Sequence, residues 1–368
     1  MSTTKLFILA DGGSAHTIKW VSGLLEKGFN IYLFSLGEIA PTLKDLEQNY
    51  SFSCFSGAML VQSKGSILKK ANYLKLVPKL KKEIRAFKPD ILHAHYATSY
   101  GLLAFLSGFK PYVASLWGSD IMVFPNRSFI HRLVLKQILC GAKMVFSSSK
   151  IMEGLAAKFV DKVKVQRIPF GIDLEQFKPE GGFDNNQGVR FCIVKTMAET
   201  YGVDIAIKAF VKLLENYPQQ SLHIAGDGVK MQEYQQLAGK YLDKGIHFYG
   251  KIPYAQVPEF LNKNQVFVNL SRSESFGVSV IEAGACGLPS IISNRGGLPE
   301  TVFDGETGTM LPELNEDEAF KAMEYYINNT DMIAVQGKNA RAFVERNFDF
   351  QKNLEQQIRS YQKVLQKV

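Results

Sequence analysis

Short β-branched or aromatic runs alternate with amphipathic stretches along nearly the whole chain, and this alternation constrains the fold more than any other feature. In the first half, strands are expected at 5–10, 30–34, 90–93, 111–115, 143–147 and 164–168. Helices are expected at 15–27, 78–87, 98–106, 129–139 and 149–159. Alternation of this kind predicts a mainly parallel sheet covered on both faces. Around Ile168 it breaks into IPFGIDLEQFKPEGGFDNNQG, whose prolines, glycines and Asn pair mark a linker and a loop. It then resumes with strands at 189–194, 222–225, 246–249, 265–269 and 289–293, and helices at 203–215, 229–242, 257–262, 277–286 and 316–328. The fold class is therefore α/β, with two Rossmann-like domains at 1–168 and 169–350 whose parallel sheets face each other across a cleft. Residues 351–368 lack glycine and proline and are expected to form a helix that packs back on the first domain.

The 368 residues suit two cores of ordinary size. No run approaches the roughly 18 apolar residues of a membrane span. The start, MSTTKLFILADGG, reads as a first strand rather than a secretory signal. Cys54, Cys140, Cys192 and Cys286 form no Cys-x-x-Cys pair, which fits a reducing, cytoplasmic setting and no metal.

Charge is distributed unevenly: residues 1–170 carry 23 Lys/Arg against 10 Asp/Glu, although the whole chain is only +8. The first half is thus suited to an anionic partner, or simply to water. Leu68–Pro89 holds eight Lys/Arg and one Glu, with Val77, Leu80, Ile84 and Phe87 at helical spacing. This basic amphipathic helix either lies on an anionic membrane or packs on the sheet with a solvated basic face. Nucleic acid is not expected, because no aromatic stacking platform accompanies the charge.

The stretch from Val266 to Leu311, VFVNLSRSESFGVSVIEAGACGLPSIISNRGGLPETVFDGETGTML, carries the chemistry. A buried strand ends near Leu270, a polar loop holds Glu274, and a small turn opens a helix carrying Glu282. Free N–H groups at that helix start suit a pyrophosphate, and Gly277 lets the backbone approach it closely. The two carboxylates can accept hydrogen bonds from sugar and ribose hydroxyls.

ESFGVSVIEAGACGLP, GGLPE and DGETG together resemble the nucleotide-binding core of the family-4 retaining glycosyltransferases, which have the two-domain GT-B fold. That resemblance implies that Glu282 binds the nucleotide ribose and Glu274 the transferred sugar, with backbone amides of Phe276, Gly277 and Val278 at the sugar or phosphates. AGDG, with Gly226, resembles the family's third-strand turn, and FYGKIP, with Ile252, the turn beside the base. Gly12 and Gly13 resemble the small-residue loop over the donor phosphates, with His16 on the acceptor side. The sequence departs from the family at IVKTMAETYG. Thr196 and Tyr201 stand where an Arg and a Lys commonly hold the diphosphate, leaving Lys195 as the candidate cation for the leaving group.

In DILHAHY, His93 and His95 point the same way along a strand. No third metal ligand is evident; one ring is expected to be structural, and His95, beyond the strand, to face the cleft. SLWGSD matches a family position often written H-G-x-D. Trp117 replaces its His, and Asp120 is a candidate sugar or acceptor contact.

The resemblance implies transfer of a sugar from a nucleotide diphosphate, UDP in the first instance. The acceptor would be a glycan, a lipid-linked compound or a small molecule, and no cofactor or metal is expected. A GT-B epimerase or phosphorylase, or a non-catalytic nucleotide-sugar binder, are the alternatives.

Overall fold

The computed structural model describes residues 3–58, 71–181 and 188–366. The chain divides into two compact units, one of Met1–Pro169 with Asn353–Val368 and one of Phe170–Lys352.

Unit 1 is built on seven parallel strands: β1 Lys5–Leu9, β2 Asn30–Ser35, β3 Phe52–Ser56, β4 Ile91–His95, β5 Tyr112–Leu116, β6 Met144–Ser147 and β7 Val165–Arg167. Their order is β3-β2-β1-β4-β5-β6-β7. Every residue of β4 and β5 is buried, as expected of strands covered on both faces. Local signals set the helix ends. The side chain of Ser128 accepts from the His131 N–H at the start of Phe129–Gly141, and that of Ser149 from the Met152 N–H before Lys150–Ala156. The sheet order reverses at β1, so the loops after β1 and β4 flank the switch point where such folds take ligands.

The basic segment resolves differently from one of its two expected forms. Residues 68–70 lie outside the described residues, and the helix runs from Val77 to Phe87. Leu80 and Ile84 are fully committed to the core of unit 1, with Val77 and Phe87 packed beside them. The apolar face is therefore unavailable to a bilayer, which corrects the membrane assignment for Leu68–Pro89. Periodicity identified the face, and the sheet covers it.

The helix Phe350–Gln366 supplies the last layer of unit 1. Asn353, Leu354, Gln357, Ser360, Tyr361 and Val364 form its buried stripe, at the spacing of one helix face. Three of its polar members are bonded: Asn353 Nδ2 to the Pro169 carbonyl at 3.0 Å, Ser360 Oγ to Gln166 Oε1 at 2.8 Å, and Tyr361 Oη to His93 Nδ1 at 2.6 Å.

Unit 2 has six parallel strands: β8 Arg190–Val194, β9 Ser221–Ala225, β10 Ile246–Gly250, β11 Val266–Asn269, β12 Ser290–Ser293 and β13 Gly308–Leu311. Their order, β10-β9-β8-β11-β12-β13, repeats the plan of unit 1 and places its switch point between β8 and β11. The helix Thr330–Asn347 was not expected from sequence. It packs so closely that a Cβ at Gly337 would stand 2.0 Å from the Gly287 carbonyl oxygen.

Candidate active site

In unit 2, the loops following β8, β9, β11 and β12 are joined backbone to backbone. Lys195 N–H donates to the Ala225 carbonyl at 3.0 Å, Met197 N–H to Asp227 at 3.0 Å, and Gly297 N–H to Glu274 at 2.9 Å. Two glycines make this closeness possible. Gly226 has φ +140°, and a Cβ there would overlap the Lys195 carbonyl oxygen; Gly296 has φ +58°, and a Cβ would overlap that of Glu274. Gly226 thus serves the site through packing, since its N–H is taken by the Gly250 carbonyl at 2.7 Å.

This framework brings Lys195 and Glu274 together, although 79 residues separate them. Lys195 is the first residue beyond β8, and Glu274 lies in the loop beyond β11, so the pair sits at the switch point. Lys195 Nζ lies 2.5 Å from Glu274 Oε2, and each side chain is 13% exposed. The same ammonium lies over the ring of Tyr201, 4.9 Å from its centroid. The negative face of an aromatic ring attracts a cation. Tyr201, which in sequence looked like a lost charge, thus helps seat a different one.

Glu282 lies in the second turn of the helix Val278–Ala285 and is 5% exposed. Its Oε1 accepts a hydrogen bond from the Tyr254 hydroxyl at 2.9 Å. Burial and then the neighbouring carboxylate push the Tyr254 phenol well up, so it stays a donor. Sequence reasoning missed Tyr254, because no local pattern links it to a carboxylate 28 residues away. Ile252, two residues earlier, is half-buried.

The start of the same helix follows Gly277, which is left-handed at φ +106°. The first intrahelical bond runs from the Val280 N–H to the Gly277 carbonyl, so the amides of Val278 and Ser279 precede the ladder and are aligned for an anion. The Phe276 ring is buried against Phe170 and Phe348, which leaves only its backbone for a ligand.

The switch point of unit 1 collects the other candidates. The amides of Gly12 and Gly13 already donate, to Ser35 Oγ at 2.9 Å and to Asp11 Oδ1 at 3.1 Å. The loop is therefore closed on itself rather than presenting both amides to a phosphate. His16 meets Trp117 edge-on at 5.9 Å, and His95 lies 4.9 Å from the same indole. Burial, with Lys19 second, lowers His16 to about 4.

Two expectations are corrected here. His95 is the last residue of β4 rather than beyond it, and is 3% exposed. Burial pulls its imidazole down to about 3, so it is neutral near pH 7 and is not a proton-carrying acid. Its Nδ1 is buried without a hydrogen-bond partner among the described residues. His93 is the structural ring, holding Tyr361 through Nδ1 and Ser115 Oγ through Nε2 at 2.8 Å. Asp120 is fully buried, and its carboxylate accepts from the N–H groups of Ala97 and Gly118, each at 2.8 Å, and of Trp117 at 3.2 Å. It clasps the loops after β4 and β5 and has no room for a sugar or acceptor.

Two doubly wound sheets, the shielded Lys195–Glu274 ion pair, the buried Glu282 carboxylate and an amide-rich helix start after β11 are the features of a site for group transfer. The family model described as "Glycosyl transferases group 1" matches residues 175–343, and "Glycosyl transferase 4-like" matches residues 5–149. The chain belongs to the group 1 glycosyltransferases and is a transferase enzyme. It is 25% identical over 250 residues to an uncharacterised glycosyltransferase of Methanocaldococcus jannaschii, an alignment covering 65% of this chain and 62% of that relative. It is 26% identical over 290 residues to N-acetyl-α-D-glucosaminyl L-malate synthase of Bacillus anthracis, covering 75% of each. Anabaena Alr3699/HepE, solved in complex with UDP and glucose, superposes with a TM-score of 0.78 at 18% identity over 98% of this chain and all of that one. This last likeness confirms the GT-B architecture.

Proposed function

We propose that the chain transfers a hexosyl group from a UDP-sugar to a hydroxyl acceptor, a glycan, lipid-linked compound or small molecule used in cell-surface glycoconjugate synthesis, with retention at the anomeric carbon. The observation that carries this reading is the Lys195–Glu274 pair at the β8/β11 switch point, next to the helix that presents Glu282. Glu282 takes the ribose hydroxyls, with Tyr254 steadying the carboxylate. The Val278 and Ser279 amides face the diphosphate, and Glu274 takes the sugar hydroxyls. The bond from the anomeric carbon to the β-phosphate oxygen breaks, and the acceptor oxygen bonds the same carbon from the same face. The acceptor proton passes to the departing phosphate oxygen, so no protein base is needed. Lys195 stabilises the charge gathering on that oxygen, as a preorganised cation does best in a site shielded from water. UDP is favoured because Alr3699/HepE is seen with it.

Separate measurements of nucleotide affinity and turnover test the assignment. Glu282→Ala should weaken UDP binding about 10- to 100-fold, the worth of a hydrogen bond to a charged group. Glu274→Ala should leave UDP affinity nearly unchanged and lower turnover. Unchanged affinity in the first and unchanged turnover in the second would refute the site.

A further inference from the structure

A carboxylate on a loop is only as well placed as the loop itself. Glu274 stands on the loop after β11, and Lys195 opens the loop after β8. The two loops run side by side. At Gly202, where φ is +62°, a Cβ would overlap the Leu270 carbonyl oxygen, so no side chain fits between the backbones. Further along, the Arg272 N–H donates to the Thr200 carbonyl at 2.8 Å.

Arg272 closes this seam with its side chain. Nη1 donates to the Glu199 carbonyl at 2.6 Å and to Asp204 Oδ1 at 2.8 Å, and Nη2 donates to Asp204 Oδ2 at 2.6 Å. The two Asp204 bonds are the parallel fork that a planar guanidinium offers a carboxylate. An isolated surface ion pair contributes little; the fork and the third acceptor set this one apart. Asp204 lies in the first turn of the helix Val203–Asn216, whose inner face is in the core, so the far side of the clamp is rigid. Burial alone would raise the Asp204 carboxyl, but Arg272 outweighs it and holds the group below the usual carboxylate range. The other cations near Asp204 have partners of their own: Lys208 meets Glu316 at 3.0 Å, and Lys230 meets Glu233 at 2.5 Å.

Both halves of the reactive pair hang on this clamp. Tyr201, between Thr200 and Gly202, carries the ring beneath the Lys195 ammonium. Ser271, next to Arg272, places its hydroxyl 3.4 Å from Glu274 Oε2. We propose that Arg272 is a positioning residue for sugar transfer: through Asp204 and the Glu199 carbonyl it fixes the loop after β11 against the loop after β8, and so sets the spacing of Lys195 and Glu274. The proposal rests on the reading of that pair as the reaction centre, and Arg272 acts through Glu274 rather than on the substrate.

The test compares wild type, Arg272→Gln and Arg272→Lys in two arms. The first is amide hydrogen exchange on the full chain without ligand. In Arg272→Gln, the amide of residue 272 and that of Gly297, which donates to the Glu274 carbonyl, should lose protection about tenfold, while the Lys195 amide, held by Ala225, keeps it. The second arm is UDP release from UDP-glucose, with UDP binding measured separately. Arg272→Gln should lower kcat about 10- to 100-fold, the cost of slightly misplacing a reacting group, and leave UDP affinity within about threefold. Arg272→Lys should recover only part, because an ammonium cannot reproduce the fork. In a Glu274→Ala background, Arg272→Gln should lower kcat by less than about threefold further, since the group it positions is gone. Unchanged exchange in Arg272→Gln would overturn the proposal whatever the donor, and so would an equal loss of kcat in both backgrounds. Turnover of Arg272→Gln within about threefold of wild type, beside a crippled Glu274→Ala, would overturn it and leave the reading of the site standing. Normal turnover in Glu274→Ala would sink that reading instead, and the exchange arm, which needs no substrate, still decides whether Arg272 fixes the loop.

Discussion

Lys195→Met removes a single charge from the centre of the proposed chemistry and keeps most of the side-chain volume. Lys195 and Glu274 are each about seven-eighths shielded from water, so an effective dielectric near 20 applies rather than that of bulk water. A cation about 4 Å from one developing negative charge is then worth roughly 4 kcal/mol. The cation already stabilises the diphosphate before the bond breaks and is paired with Glu274, so only part of this appears in the barrier. About 3 kcal/mol is a reasonable share, similar to the loss of one preorganised oxyanion donor, and corresponds to an approximately 100-fold fall in kcat. The assay is steady-state UDP release with acceptor present, alongside calorimetric UDP binding and thermal unfolding as a fold control. Lys195→Arg should recover part of the rate, since the charge returns in a bulkier form. A kcat for Lys195→Met within about threefold of wild type, in a protein that melts normally, would refute the role of this cation. A large loss in Arg295→Met instead would move the leaving-group cation to the exposed loop after β12.

Tyr254→Phe deletes only the hydroxyl that holds Glu282 Oε1. It should weaken UDP binding about tenfold while hardly affecting 2′-deoxy-UDP, because the steadied carboxylate matters only where ribose hydroxyls are present; equal losses for both nucleotides would make Tyr254 a packing residue. Acid should destabilise unit 1 through its buried imidazoles. The folded value of His95, about 3, lies below the ordinary 6.5, so between those limits the unfolded chain binds the extra proton and stability falls as pH drops. His95→Gln should therefore flatten the stability slope between about pH 6 and 5 by roughly 1 kcal/mol per pH unit, read from urea midpoints, and an unchanged slope would mean that the ring is not held neutral.

The periodicity of the chain made the two-sheet architecture and most elements legible, and the framed string around Glu274 and Glu282 made the site legible as chemistry. What escaped has identifiable causes. FSCFS forms edge strand β3 from a run whose Ser and Cys residues hide its period, and the glycines of DGETG masked β13 as a turn. Thr330–Asn347 carries Gly337 at its middle, where a close backbone approach to Gly287 requires it and where it weakens the helical signal. Asp120 was a candidate contact because SLWGSD resembles the family's H-G-x-D position. Its task became visible only when its oxygens were matched with three backbone donors. Tyr201 and Tyr254 could not be assigned from sequence, because each acts on a partner brought near only by the fold. The helices Val77–Phe87 and Phe129–Gly141 show the same limit: both bury an apolar face, the second also leaves Phe129, Ile130 and Leu133 exposed, and only the neighbouring elements decide which apolar residues are covered.

The return of residues 353–366 to unit 1 has a consequence for how the chain is made. All seven strands of the first sheet leave the ribosome before Phe170, yet Tyr361, the partner of His93, follows only after the whole of unit 2 has been synthesised. At ordinary elongation rates that interval is about 10–40 s. During it, the first sheet waits with the His93 ring, the Gln166 amide and the apolar surface beneath Leu354 and Val364 uncovered, while the continuous unit 2 can close on itself. The order of completion is thus the reverse of the order of synthesis. The part of the chain that emerges first depends longest on protection from aggregation, and loss of residues 353–366 would strike the sheet made at the opposite end of the message.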